Sequence, residues 1–317
     1  MEPERLIEIV NEKYGKELLT AGDDTRLLVD RISTTIPILD MAMGGGFPRG
    51  RITELIGAYS SGKSLLALFG IVACQKSKEL ACFIDVEKAF DPVWAGLLGV
   101  DLSQLVISRP NTGEEAFDLM EKLVRPQAGV SLVVLDSIAH LIPTAEAEEE
   151  MGQQFMGLQA RLVNKGLRKV VSSNDNTAVI LINQTRESIG KSFGNPETLP
   201  GGKGHAFASS IILRVLRGSW IMDKEKRVGH LLKFRTEKNK VAPPWQECEV
   251  PFYYEGFIDR EDGLLSLGLE LGLVKRSGAW YTYKDTRAQG RDKLLAELRE
   301  QPKLLEGLRK EIEYGDD

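Results

Sequence analysis

Residues 57–64 read Gly57-Ala58-Tyr59-Ser60-Ser61-Gly62-Lys63-Ser64, a match to G-x-x-x-x-G-K-[ST] set between an apolar run, Ile52–Ile56, and a helical pattern, Leu65–Ala73. This constrains the fold most, because such a loop works only where a buried strand hands over directly to a helix. Its glycines let backbone N–H groups from Gly57 through Tyr59, Ser60, Ser61 and Gly62 to Leu65 wrap phosphate oxygens. The helix N-terminus adds the positive end of its dipole, the Lys63 ammonium reaches terminal phosphates, and the Ser64 hydroxyl suits Mg²⁺. A bare glycine turn would need neither the lysine nor the hydroxyl.

Around this loop, β-type runs alternate with helical patterns. The runs are Ile52–Ile56, Ala81–Val86, Leu105–Ser108, Val130–Leu135, Val179–Ile182, Ile211–Leu216 and Leu231–Phe234, with helical stretches at 63–76, 91–99, 112–125 and 151–173. Near-continuous apolar strands separated by helices predict a mainly parallel α/β sheet covered on both faces. Beyond residue 200 strands follow one another directly, which predicts antiparallel hairpins at the end of that sheet. From about residue 260 short segments (272–283) precede a region carrying Leu294, Leu295, Leu298, Leu304, Leu305, Leu308 and Ile312, which predicts a small C-terminal domain. At the other end, Leu6, Ile9 and Val10 share one face of a helical pattern over 4–13, followed by an extended segment, Lys16–Thr20. A helix of about ten residues is not stable alone and must dock on something.

Composition narrows the function classes. The chain has 317 residues, 42% of them apolar, and 41 Lys+Arg against 46 Asp+Glu for a formal charge of −5. That balance excludes a polybasic protein that coats duplex DNA by bulk charge, while leaving room for local basic patches. Cys74, Cys82 and Cys248 are odd in number and form no CxxC pair, which predicts free thiols in a reducing cytoplasm. No apolar run approaches the ~20 residues of a membrane span, and the acidic N-terminus does not read as a signal peptide.

Two strand ends supply carboxylates near the loop. Leu132-Val133-Val134-Leu135-Asp136 ends a buried run with an acid, where Asp136 is placed to hold Mg²⁺ or its water. In Ala81-Cys82-Phe83-Ile84-Asp85-Val86-Glu87, alternation puts Asp85 and Glu87 on one face and Val86 inward, and Glu87, farther out, is the candidate general base. A solvated strand-end glutamate is an equally good reading of Glu87 on these residues alone.

In this order the pieces resemble bacterial RecA recombinases and their phage relatives over residues 5–314. The resemblance rests on GAYSSGKS at 57–64, FIDVEKAFDP at 83–92, VVLDS at 133–137, MGLQARL at 156–162, INQTRESIGKSFGNPET at 182–198, KNKVAPPW at 238–245 and GAWYTY at 278–283. It implies a RecA-like P-loop ATPase core over 31–257, an N-terminal polymerisation helix and strand within 1–30 and a small α+β domain over 258–317. It also implies ATP and Mg²⁺ as ligands and a helical, head-to-tail homo-oligomer on single-stranded DNA that pairs with homologous duplex.

Residue by residue, the resemblance makes Glu87 the water-activating glutamate and Gln184 the γ-phosphate sensor. Asp91 and Trp94 become the adenine-holding pair, with Trp94 where the family usually has Tyr, and Lys238 and Lys240 the lysines that reach a neighbour's ATP. DNA contacts fall on Met156, Arg161, Arg168, Arg186, Ile189, Phe193, Asn195, Gly201 and Gly202, with Met156 and Ile189 as wedges between bases. Gln184 and Phe207 are implied relays between nucleotide and DNA.

The residues themselves admit a DNA surface, although a charge stripe on a helix is equally the mark of a solvated face. Arg161, Lys165, Arg168 and Lys169 form one helical stripe, with Leu158, Leu162 and Val170 on other faces to pack inward. The acids Glu146, Glu148, Glu149 and Glu150 lie together just before it. Ile189 and Phe193 sit on a glycine-bearing loop, where apolar side chains need a cover.

The chain departs from the family at Ala206 and Ile212, where a Lys and an Arg are common, with Lys203 or Arg214 available in compensation; its acidic tail is short. Two other classes use the same core: a ring helicase or loader, and a nucleotide-dependent assembly protein without DNA activity.

Overall fold

The computed structural model describes residues 2–15, 17–148, 157–187 and 197–314. Residues 1–30 and 31–317 form two compact units.

The first unit contains helix α1 (Pro3–Tyr14), ended by Gly15 in the left-handed conformation. Asn11 ties the following chain to it, accepting from the N–H groups of Leu18 (2.7 Å) and Leu19 (2.9 Å) and donating to the Leu19 carbonyl (2.8 Å). Residues 17–20, expected to be extended, pair with no strand among the described residues of the single chain, and the N–H groups of Leu18 and Leu19 go to Asn11. Arg26 closes the unit on Glu17 and Asp24. No residue of α1 is buried, and Leu6 and Ile9 are exposed.

The second unit opens with β1 (Arg31–Ile32), α2 (Pro37–Met43) and β2 (Phe47–Pro48), and β1 pairs with β2. There follow β3 (Ile52–Gly57), α3 (Lys63–Lys76), β4 (Leu80–Asp85), α4 (Pro92–Leu97), β5 (Leu105–Ser108), α5 (Gly113–Leu123) and β6 (Val130–Asp136). Next come α6 (Thr144–Ala147), α7 (Leu158–Ser173), β7 (Ala178–Gln184), the short pair β8 (Arg186–Glu187) and β9 (Glu197–Thr198), and α8 (Gly204–Ala208). Strands β10 (Ile211–Asp223), β11 (Lys226–Asn239), β12 (Glu247–Tyr253) and β13 (Phe257–Ile258) then run in succession.

Among the described residues these strands build a nine-stranded sheet in the order β13-β12-β11-β10-β3-β7-β6-β4-β5. It is parallel from β10 through β5 and antiparallel from β10 to β13. The predicted division between parallel and hairpin-linked halves is therefore observed. The strands β10 and β11 run well past their apolar runs, because the ribbon carrying Trp220, Met222 and Arg227 keeps its ladder after leaving the core.

Two apolar cores cover the sheet. One gathers Leu66, Phe69 and Ile71 of α3 with Leu39 and Met43 of α2; the other gathers Phe117 and Met120 of α5 with Val163, Leu167 and Val170 of α7. Capping sets the helix ends: Thr112 and Glu115 form a reciprocal capping box at the start of α5, and the Asp91 carboxylate accepts from the Trp94 N–H at the start of α4. The segment α9 (Arg260–Glu270), β14 (Lys275–Ser277), β15 (Trp280–Tyr283), β16 (Thr286–Gln289), α10 (Arg291–Glu300) and α11 (Pro302–Tyr314) encloses its own core of Leu265, Tyr283, Leu294, Leu298 and Leu308. Leu267 of α9 also packs in the main core. No helix of the described residues is long and apolar enough to cross a membrane. Burial pushes the thiols of Cys74 and Cys82 up to about 12 and about 11, and all three cysteines are free.

Candidate active site

The end of β3 and the start of α3 hold residues 57–65 above the sheet. Gly62 caps α3 with φ +102°, and a Cβ there would stand 2.7 Å from Leu232 Cδ2, so both conformation and packing demand glycine. α3 has no side-chain N-cap, which leaves its first-turn N–H groups directed out of the helix. Lys63 is buried, and its ammonium donates to the carbonyls of Gly57 (3.0 Å) and Ala58 (2.7 Å). Burial holds its pKa below the usual lysine value, offset in part by Asp136 and Glu87.

Ser64 donates to Asp136 Oδ2 at 2.6 Å, joining the phosphate loop to the end of β6. Burial pushes the Asp136 carboxyl up to about 6, with the Ser64 bond opposing and the Glu87 charge adding to the rise. Next to it, Glu87 Oε1 receives the Ser137 hydroxyl at 2.5 Å and the Gln184 amide at 2.9 Å, and His140 Nδ1 lies 2.8 Å away. Thus β3, β4, β6 and β7 each deliver one part of the same cluster at their C-terminal ends, where parallel sheets bind ligands.

Gly62, Lys63, Ser64, Glu87, Asp136 and Gln184 line a cleft of about 500 Å³ with Tyr59, Ser60, Ser61, Leu65, Trp94, Ile182, His230 and Phe252. The residues present fit a magnesium nucleotide. Ser61 Oγ is buried without a partner among the described residues, free N–H groups and a buried ammonium face phosphate positions, and a hydroxyl and a carboxylate offer hard oxygen ligands.

Family models match the chain twice: the RecA N-terminal domain over residues 3–259 and the RecA C-terminal domain over residues 263–314. The chain belongs to the RecA family. It is 44% identical to Protein RecA of Frankia casuarinae over 308 residues, covering 96% of this chain and 89% of that protein. It is 42% identical to Protein RecA of Thermus aquaticus over 315 residues, 98% of this chain and 92% of that one. RecA proteins bind ATP and DNA in recombination and repair, and this chain is one of that family.

Against the RecA pattern, the structure gathers Lys63, Ser64, Glu87, Asp136, Gln184 and Trp94 in one cleft. Asp91 lines an adjoining pocket with Trp94 and Glu87. Asp85 differs from the expected shared face: it is buried and accepts from the N–H groups of Ala89 (3.0 Å) and Phe90 (3.2 Å) and from Arg109 (3.1 Å), which fixes the turn after β4. Lys238 donates to the carbonyls of Ala206 and Ser209 in its own chain, both at 2.6 Å, and Lys240 is exposed; neither lines the cleft.

On the DNA side, Arg161, Lys165 and Arg168 are exposed along α7. Lys169 leaves the expected stripe, since it pairs with Asp118 (3.4 Å) and Glu121 (3.5 Å) of α5. Leu158 and Leu162 are only half-buried, because the seam of α7 runs through Val163, Leu167 and Val170. Gly201 and Gly202 have φ of +89° and +75°, and a Cβ on either would crowd Ile138 or Ala160 at 2.9 Å. Arg186 lies on β8, opposite Thr198 of β9. Met156, Ile189, Phe193 and Asn195 lie outside the described residues.

A buried polar cluster joins this region to the phosphate-loop strand. Glu54 of β3, fully buried, has His205 Nδ1 of α8 2.8 Å from Oε1 and accepts from Asn183 Nδ2 of β7 at 3.0 Å, while the same Asn183 amide donates to the Pro200 carbonyl at 3.2 Å. Arg214 pairs with Glu237 and, at 2.6 Å, with Glu197, so it anchors β9 to the main sheet. At Ile212, where the family commonly has Arg, the side chain is half-buried, and Lys203 is exposed.

Sequence reasoning missed Ser137, His140, His230 and Phe252. A serine directly after Asp136 was a usable signal for the first; single histidines and an edge-strand phenylalanine carry none.

Proposed function

We propose that this chain is an ATP-dependent DNA recombinase. It polymerises head-to-tail on single-stranded DNA, pairs that strand with homologous duplex and exchanges strands, with ATP hydrolysis stimulated by DNA. The observation that carries the reading is the Glu87–Gln184 hydrogen bond at 2.9 Å. It couples the candidate base to the last residue of β7, from which the chain passes straight into the 185–202 segment.

In this reading the N–H groups of residues 57–65 and the Lys63 ammonium bind the phosphates, while Ser64 and Asp136 hold Mg²⁺. Trp94 stacks on the base, Asp91 meets its edge, and Glu87 orients the attacking water and accepts its proton. Bound Mg²⁺ supplies charge neutralisation on the phosphates. Gln184 transmits the phosphate state to the DNA segment.

Arg161, Arg168, Arg186 and the Gly201-Gly202 amides meet backbone phosphates, and Met156, Ile189, Phe193 and Asn195 contact the strand; such contacts read no sequence, so base pairing supplies specificity. Exposed Leu6 and Ile9 on α1 give a neighbouring subunit an apolar face to cover, and exposed Phe207 suits a subunit interface. Lys238 and Lys240 then reach the neighbour's nucleotide. The functional division is 1–30 for polymerisation, 31–257 for the ATPase core and 258–317 for the C-terminal domain, and the free thiols fit a cytoplasmic setting.

The test is phosphate release with and without single-stranded DNA. Stimulation by DNA is expected. Absence of stimulation would remove the recombinase reading, and duplex unwinding would favour a ring helicase.

A further inference from the structure

His140 has no place in the motifs above, yet it touches the candidate base. It ends a single 3-10 turn, 138–140, immediately after Ser137. That turn is pinned from α7 by Gln159, whose two amide N–H groups are shared among the carbonyls of Ile138 (3.2 Å), Ala139 (3.3 Å) and Leu141 (3.1 Å). The imidazole Nδ1 is thereby held 2.8 Å from Glu87 Oε1 and 3.1 Å from Ser137 Oγ. With the Ser137 hydroxyl 2.5 Å from the same carboxylate oxygen, the three side chains close a triangle.

We propose that His140 is a positioning residue for Glu87, donating from Nδ1–H to Oε1 so that the carboxylate keeps its orientation when Gln184 turns toward a phosphate. The inference rests on the hydrolytic reading of the cleft. Three groups converge on Oε1, and Gln184 commits to it the single amide it needs for sensing phosphate. A carboxylate that depended on Gln184 alone would lose its orientation at the moment the base is needed. Ser137 and His140 sit on a turn that Gln159 of α7 holds by hydrogen bonds separate from Gln184, so their two contacts persist while Gln184 changes partner. Among the described residues the hydrogen bonds to this carboxylate all fall on Oε1, which leaves Oε2 to address the water.

The test compares ATP hydrolysis in the full-length wild type, His140→Ala and His140→Asn, with single-stranded DNA present. The His140 side chain is 47% exposed, so both variants should fold. Asn carries an amide N–H close to where Nδ1 stands. His140→Ala should lower kcat about tenfold with the KM for ATP within about twofold, as expected when an interaction acts on the chemical step alone. His140→Asn should recover to within about threefold of wild type. Three outcomes would overturn the proposal: an unchanged kcat in the alanine variant, a raised KM with kcat intact, or an asparagine variant no better than alanine. A wild type that hydrolyses no ATP would refute the reading of the cleft itself; a hydrolysing wild type matched by His140→Ala would refute only the role of His140.

Discussion

Asp136→Asn should make the protein more stable while disabling it, and pH should set the size of the gain. Asp136 is buried, and its carboxyl is raised from 3.8 to about 6. Folding therefore disfavours its charged form: the penalty is absent below pH 3.8, grows as pH rises and is complete once pH passes about 6. Each pK unit is worth about 1.36 kcal/mol, so the full penalty is about 3 kcal/mol. Asparagine carries no charge and can still accept the Ser64 hydroxyl.

In urea melts of protein free of metal and nucleotide, Asp136→Asn should exceed wild type by up to about 3 kcal/mol at pH 7.5 and by about 1.5 kcal/mol at pH 5. Taking the difference at each pH cancels the other titrating groups. The same variant should lose Mg²⁺-dependent hydrolysis. A gap that does not change with pH, or a less stable variant at pH 7.5, would refute the argument. A gain in stability with loss of activity is the usual signature of a charge held ready for a ligand.

Gly62→Ala places a side chain in the left-handed region against Leu232, so a loss of about 1–3 kcal/mol in stability and weaker binding of a fluorescent ATP analogue are expected. Arg214→Ala removes partners from Glu197 and Glu237; a loss of about 2 kcal/mol in denaturant melts and faster proteolysis between residues 185 and 203 should follow, and unchanged cleavage would count against the anchor. Ile189→Ala combined with Phe193→Ala should weaken single-stranded DNA binding in anisotropy titrations while the melting temperature holds, and unchanged affinity would contradict the DNA role of that loop.

Much of the sheet was legible because burial on both faces forces apolar runs: Leu105–Ser108 was read to the residue, and β3, β4, β6 and β7 to within one or two residues. Legibility failed where pairing outlives burial, as in the ribbon beyond Leu216, where Arg217-Gly218-Ser219 breaks the apolar run as a loop would. α2 escaped notice because its seven residues are too short to show a period. At the candidate site, Lys63, Ser64 and Asp136 were legible from motif spacing and a strand-end acid, and the structure brings the three together. Glu87 was set apart from Asp85 in sequence only as the acid farther out; that Asp85 turns back to the backbone of its own turn while Glu87 meets Ser137, His140 and Gln184 is visible only in space. Lys169 left the basic stripe because α5 presents Asp118 and Glu121 to it, and a single helix pattern cannot show what packs beside it.

The Glu54–His205–Asn183 cluster also has a consequence for how the chain breathes. A carboxylate with no exposed surface cannot exchange one partner for water without losing the others. α8 is fastened at His205, and Lys238 fastens the carbonyls of Ala206 and Ser209. Partial fraying of residues 204–209 would strand buried polar groups, so these residues should open together or not at all. In hydrogen exchange, the amides of Phe207, Ser209 and Ser210, which donate to the carbonyls of Lys203, His205 and Ile52, should show one common opening free energy.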